Sequence, residues 1–376
     1  MSAARIWRQF DFALLIFIIL LIVFGIVMIR SANLGTEEDL VDLWRAQTNF
    51  AIIGMALFFL AAALPYQWLK DVWWAGFLVA LGLLVLVLFI GSSEVGDVRR
   101  WFFIGTFRLQ PSYVAFLFFI ISMAAILDYR SPRDHHVEGE KVGWGPPPKW
   151  WTYLLSGAVA LLFAVLVFLE PDMSVAMTFV IIWAAMAFVS EVHIGYILAT
   201  LAVGLASILP LWQVMEPYQR GRVLTFLNPE RDPAALYNIN QALISIGSGG
   251  FWGKGYGVGT QSQLHFLRVR HTDFIFSVIG EELGFLGTTI LLGLFVLLGW
   301  RVFRAALMAP DRFGRLLVVG VGTLLFFQTL VNVGMNIGVL PVTGLPLPFV
   351  SYGGSGLWTA LTALGLVAGV GMRRKQ

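Results

Sequence analysis

Apolar residues in this chain come in long blocks rather than scattered. Ten such blocks lie near residues 11–30, 47–65, 72–91, 112–128, 151–169, 173–190, 193–212, 274–301, 315–338 and 355–372. A bilayer core of about 30 Å takes roughly 20 apolar residues of helix, so each block predicts a membrane span. The fourth to sixth are short and leave little room for tilt. The first follows Arg5 and Arg8 with no small-residue cleavage site behind it, which predicts a retained anchor and not a removed signal peptide. The expected fold is all-α: a polytopic membrane protein with about ten transmembrane helices. It forms a single membrane domain over residues 1–376, with a large folded extracytoplasmic loop near 213–273 between spans seven and eight.

Composition agrees. Only 12% of residues are charged and 58% are apolar, against about 25% charged in a soluble domain. With no cysteine, a disulfide framework and a Cys-ligated metal are both excluded. The net charge of +3 and a pI near 9.2 suit cationic cytoplasmic loops better than nucleic acid. With the amino terminus inside, the inner segments hold fourteen Lys and Arg residues. The short outer segments hold five, Arg30, Arg45, Arg99, Arg100 and Arg108. The positive-inside rule then puts both termini in the cytoplasm.

The long outer segment adds Arg220, Arg222, Arg231, Lys254, Arg268 and Arg270. Long loops cross regardless of charge, and a loop of this length is functional or disordered. Leu224, Phe226, Leu227, Ile244, Phe251, Trp252 and Phe266 argue for a folded cap.

Several residues carry candidate chemistry. Asp273, where the loop enters the eighth span, fits a general base and equally fits a helix N-cap. Arg220 and Arg222 fit a bidentate phosphate clamp, or a pair of headgroup-facing surface cations. The glycines from Gly247 to Gly259 lack the ending of a nucleotide loop and predict a tight turn where backbone meets backbone or a ligand. Asp172, Glu281 and Glu282 are carboxylates at membrane depth, and such groups are functional candidates by default. Asn332, Asn336 and Gln328 read as interhelical hydrogen-bond glue. The run Pro346–Ser355 holds two prolines and no charge, and irregular backbone of that kind is tolerated only inside protein or beside a cavity.

Taken together, six stretches resemble the SEDS family (shape, elongation, division, sporulation), in its RodA-like branch. They are Tyr218-Gln219-Arg220 with Arg222, Ile246–Gly250, Gly259-Thr260-Gln261-Ser262-Gln263, His271-Thr272-Asp273-Phe274-Ile275-Phe276, Glu281-Glu282-Leu283-Gly284 and Pro348–Ser355. The resemblance implies a peptidoglycan glycosyltransferase that polymerises lipid II at the outer face of the bacterial cytoplasmic membrane, beside a class B penicillin-binding protein. It implies Asp273 as the catalytic acid–base residue. It implies Arg220, Arg222, Asp172, Gln263, His271, Thr272 and Ser351 as substrate-binding residues, with a divalent cation (Mg or Mn) compatible with the pyrophosphate. Where the family has a glutamate, and a lysine three residues on, this chain has Tyr113 and Phe116; where it has Leu-Gly after Pro171-Asp172, this chain has Met173-Ser174. Two other readings compete: a lipid II flippase, and a non-catalytic scaffold that activates a penicillin-binding protein. The missing inverted repeat and the cations gathered in one outer loop count against the first; retained Asp273 counts against the second.

Overall fold

The computed structural model describes residues 7–34, 42–92, 99–105, 107–129, 150–215, 217–228, 233–264, 266–267 and 269–373. Its helices are α1 (Phe12–Ala32), α2 (Leu43–Ala63), α3 (Tyr66–Asp71), α4 (Trp73–Ile90), α5 (Pro111–Leu127), α6 (Trp150–Leu169) and α7 (Met173–Val189). They continue with α8 (Ile194–Ala206), α9 (Ile208–Val214), α10 (Pro217–Leu227), α11 (Pro233–Ser248), α12 (Thr260–Gln263), α13 (Ile275–Leu307), α14 (Arg312–Asn336) and α15 (Gly354–Met372). The described strands are a small antiparallel hairpin, β1 (Phe102–Ile104) and β2 (Phe107–Leu109), with Phe102 opposite Leu109.

The chain is a multi-pass, helical membrane protein. Seven helices (α1, α2, α4, α6, α13, α14 and α15) are long and apolar enough to cross a bilayer. The pair α8 and α9, bent by 43°, makes an eighth if counted as one span. Shorter apolar helices α5 and α7 fall on the two remaining expected blocks. The expected blocks therefore all land on apolar helices, while length and composition by themselves support seven to eight spans rather than ten.

Two ends differ from expectation for the same reason. Helix α13 runs on to Leu307 and α14 starts at Arg312, because partners at these polar ends stabilise turns that an apolar window omits. Arg301 Nη2 pairs with Asp11 Oδ2 at 2.6 Å, and Asp11 also caps α1 by accepting from Leu14 N at 3.1 Å. Asp311 caps α14 through Gly314 N at 2.7 Å and accepts from the Tyr66 hydroxyl at 2.5 Å. The bend between α8 and α9 also has a local cause. Ser207 Oγ donates to Val203 O at 2.6 Å and Gly204 O at 3.1 Å, and such back-bonding bends helices. Pro210 in the next turn donates no amide hydrogen.

The interior centres on α15 and α14, which are far more enclosed than peripheral α4. Lipid tails are as apolar as leucine, so helices in a bilayer associate by close packing through small residues. Helix α15 lies along α2 in this way: a side-chain carbon at Gly365 would collide with Phe58 O, with Ala61 beside it. Helix α14 packs on α13, α7 and α5, so the starts of α5, α7, α13 and α15 all gather around the segment between α14 and α15.

Candidate active site

That segment, residues 337–353, is a strap of irregular backbone crossing the ends of four helices. Ser351 holds its turn: its Oγ accepts from Leu347 N at 2.8 Å and donates to Thr272 O at 2.6 Å. Tyr352 N donates to His271 O at 2.9 Å. Gln47 of α2 clasps the other side, donating to Ser351 O at 3.2 Å and accepting from Gly353 N at 3.1 Å. Phe349, buried in the strap, has φ +67°, a strained backbone that the surrounding bonds hold in place. Irregular backbone enclosed by protein is what the proline-containing run predicts.

Asp273 sits where the strap meets α13. Its carbonyl accepts from Asn332 Nδ2 at 3.1 Å and Asn336 Nδ2 at 2.9 Å. Asn336 Oδ1 in turn accepts from Ser277 N and Oγ, at 3.2 and 2.7 Å. Those two asparagines are interhelical glue, as expected; buried Gln328 Nε2, in contrast, has no hydrogen-bond partner among the described residues. Phe274 occupies the N-cap position of α13, with no side-chain cap, so Asp273 stands one residue outside the capping position. Its half-buried carboxylate borders Gly344, where an added Cβ would lie 3.7 Å from Oδ2. Next to it, His271 is pushed down to about 4 by burial and then by Arg270, which makes its imidazole neutral at pH 7. Its ring meets Tyr352 edge-on, with centroids 5.9 Å apart.

A second acidic position faces the same strap. Asp172 caps α7 through Val175 N at 3.3 Å, and Ser174 Oγ donates to Thr343 O at 3.0 Å. Gln110 Nε2 reaches Asp172 Oδ2 at 3.4 Å, and Arg100 Nη1 lies 3.8 Å from the same oxygen. Arg100 also donates to Glu170 O at 2.7 Å and to Pro171 O. Glu170 is only 1% exposed, and neither of its carboxylate oxygens has a hydrogen-bond partner among the described residues. Burial, with Asp172 second, pushes it up to about 9, so it is a neutral acid at pH 7. Gln110 N donates to Ser355 Oγ at 3.1 Å, which ties this cluster to the end of the strap. Asp172, Asp273, His271, Thr272 and Ser351 thus gather around one strap. Sequence reasoning missed Glu170 and Arg100 here; the signals were a Glu-Pro-Asp triplet and an arginine doublet just before the hairpin.

Glu281 and Glu282 belong elsewhere. Glu281 accepts from Lys254 Nζ (2.8 Å), Thr260 Oγ1 (3.2 Å), Gln261 N (2.9 Å) and Ser262 N (3.2 Å). Glu282 accepts from Ser31 Oγ and from Gly257 N at 3.3 Å. These carboxylates anchor the glycine segment to α13. The segment lies so close that a Cβ at Gly253, whose φ is +81°, would strike Glu282 O. Gly284, with φ +62°, breaks α13 at the same contact. The tight approach expected of the glycines is therefore backbone on backbone. Gln263, expected to bind substrate, donates to Ser31 O at 2.8 Å, beside this clamp.

On α10, Arg220 Nη2 donates to Gln213 O at 2.6 Å while its buried Nε has no partner among the described residues. No described hydrogen bond or ion pair joins it to the Asp273 loop, and the Arg222 side chain lies outside the described residues. Among the described residues no three His, Asp or Glu side chains converge as metal ligands. No step below passes through a metal.

Comparison with known proteins places this arrangement. The family model for FtsW, RodA and SpoVE, described as cell cycle protein, matches residues 12–376. A curated relative from Trichlorobacter lovleyi, "Probable peptidoglycan glycosyltransferase FtsW", is 35% identical over 96% of this chain and 93% of its own length. A solved structure titled "Structural coordination of polymerization and crosslinking by a peptidoglycan synthase complex" aligns with TM-score 0.78 at 32% identity, over 98% of this chain and 99% of that one. The crystal structure of the rod shape determining protein RodA from Thermus thermophilus aligns with TM-score 0.71 at 31% identity, again over 98% and 99%.

Proposed function

Because the chain belongs to the FtsW/RodA/SpoVE family of cell cycle proteins, we propose that it is a peptidoglycan glycosyltransferase that polymerises lipid II at the outer face of a bacterial cytoplasmic membrane. Both termini are then cytoplasmic, and residues 213–273 are outside. The observation that carries the reading is a pair of acids: Asp273 and Asp172 border one strap of irregular backbone at the ends of α5, α7 and α13. A substrate carried on a polyprenyl tail needs a polar site at the membrane surface.

The chemistry follows from the substrate. Lipid II holds its sugar through an α-linked pyrophosphate and the product linkage is β, so the anomeric centre inverts in one displacement. The acceptor hydroxyl attacks that carbon, its proton passes to the Asp273 carboxylate, and the pyrophosphate leaves with the C–O bond electrons. General-base assistance of this kind contributes about 10²- to 10⁴-fold. The departing charge needs cations, a form of transition-state electrostatic stabilisation. Arg220 and Arg222 supply it, with the open Nε of Arg220 as one donor. Asp172, His271, Thr272 and Ser351 line the bound saccharide, and neutral His271 offers a donor and an acceptor without adding charge. A class B penicillin-binding protein crosslinks the strands made here.

Replacement of the family's glutamate and lysine by Tyr113 and Phe116 favours one second reading, a non-catalytic scaffold for that penicillin-binding protein. Incubating the purified chain with lipid II, with and without the partner, separates the two. Glycan strands whose formation needs this chain establish the transferase; polymer made only by the partner, at a rate this chain merely raises, establishes the scaffold.

A further inference from the structure

Tyr113 lies in the first turn of α5, 7% exposed. Its ring stands edge-on to Phe116, with centroids 5.9 Å apart, and Phe116 packs on Phe179 at 4.5 Å. Phe116 thus fills the core where a lysine would need a counter-charge. Gly356 leaves the tyrosine ring its space; a Cβ there would sit 3.4 Å from Cε1. The ring is fixed on both sides, which fixes the direction of the hydroxyl.

That hydroxyl makes no hydrogen bond to any described residue, although Asp172 and Asp273 both lie within Coulombic range of it. Gln110, in the preceding turn, already reaches toward Asp172. A tyrosine hydroxyl ordinarily finds a partner, and this one, which is not among the enclosed side-chain atoms left without one, is open to a ligand. With no acceptor among the described residues, the hydroxyl is free to donate to a ligand beside Gln110 and Asp172.

We propose that the Tyr113 hydroxyl donates a hydrogen bond to an oxygen of the lipid-linked saccharide bound beside Gln110 and Asp172. The inference rests on the glycosyltransferase reading for the identity of the ligand. Tyr113 is then a substrate-positioning residue particular to this chain: a neutral donor stands where the family carries an ion pair. Neutrality has a consequence for the site. With no glutamate at this position, the site holds one carboxylate fewer beside the pyrophosphate, and with no lysine it needs none.

The test is equilibrium binding of lipid II to the detergent-purified full chain, wild type against Tyr113→Phe, with thermal melting and steady-state polymerisation on the same preparations. Loss of one neutral hydrogen bond predicts roughly 3- to 10-fold weaker binding and a matching rise in KM. The same account predicts kcat within about twofold and an unchanged Tm, because the hydroxyl bonds nothing in the protein. Equal binding by the two proteins overturns the proposal, whether or not Tm falls. So does a wild-type chain that does not bind lipid II. A chain that binds lipid II through this hydroxyl yet makes no polymer would sink the transferase reading and leave the contact standing.

Discussion

Two groups of acidic residues in this molecule are both withdrawn from solvent, and they differ in what answers their charge. Glu281 is surrounded by Lys254, Thr260 and the amides of Gln261 and Ser262, all within 3.2 Å. Around the strap, the Glu170 carboxylate and the Tyr113 hydroxyl have no hydrogen-bond partner among the described residues, and Asp172 is met by Val175 N at 3.3 Å, Gln110 at 3.4 Å and Arg100 at 3.8 Å. A carboxylate at membrane depth is expensive and marks function by default. The clamp shows the exception: where the chain itself satisfies the charge, the acid holds a loop in place. The difference is sharpest between Glu281 and Glu170, because Glu282 Oε1 in the clamp also lacks a partner among the described residues.

Breaking the clamp is expected to have the largest effect on stability. Glu281→Ala strands Lys254 and two amides, and removing one member of a buried pair costs about 3–5 kcal/mol. Denaturation of the detergent-purified variant measures it. A loss below about 1 kcal/mol would erase the distinction between the two groups. An intermediate effect of opposite sign is expected at Glu170. Its pKa, raised from the ordinary carboxylate range to about 9, means that the unfolded chain ionises where the folded one does not. The stability this confers is complete below about pH 4.5 and is lost as pH rises toward 9. Glu170→Gln therefore raises Tm, by more at pH 8 than at pH 5. An equal gain at both pH values contradicts it. The smallest effect concerns His271, whose lowered pKa gives the reverse window. The unfolded chain binds the extra proton between about pH 6.5 and pH 4, so stability is full above that range and falls within it. His271→Gln flattens this part of the stability–pH curve and leaves the curve above pH 7 unchanged.

The same contrast explains what could be read in the sequence. A bilayer demands long apolar runs, so every apolar helix was visible, whereas Arg301–Asp11 and Tyr66–Asp311 extend helix ends through partners more than 200 residues away. The neighbours of Asp273 were legible because His271 and Thr272 are adjacent to it in the chain and Ser351 sits in a run too irregular to span. Gln263 was grouped with them by motif, yet the glycine segment folds back on α13 and carries it to Ser31. No spacing rule encodes that fold-back. Glu170 and Arg100 meet only because the hairpin beside α5 packs on the turn before α7, a contact between segments 70 residues apart. Whether Asp273 caps α13 was undecided from sequence, since either role suits an aspartate before a helix; the N-cap position belongs to Phe274.

The central claim is that Asp273 is kept for proton transfer and the clamp acids for the fold, and Asp273→Asn tests it most directly. Asparagine preserves the shape and hydrogen-bonding reach of the side chain but cannot take a proton at neutral pH. With lipid II and the partner present, the account predicts polymerisation lowered 10²- to 10⁴-fold, on the order of 3–5 kcal/mol of barrier, at an unchanged Tm. A folded Asp273→Asn protein that keeps more than about a tenth of wild-type polymerisation would contradict it.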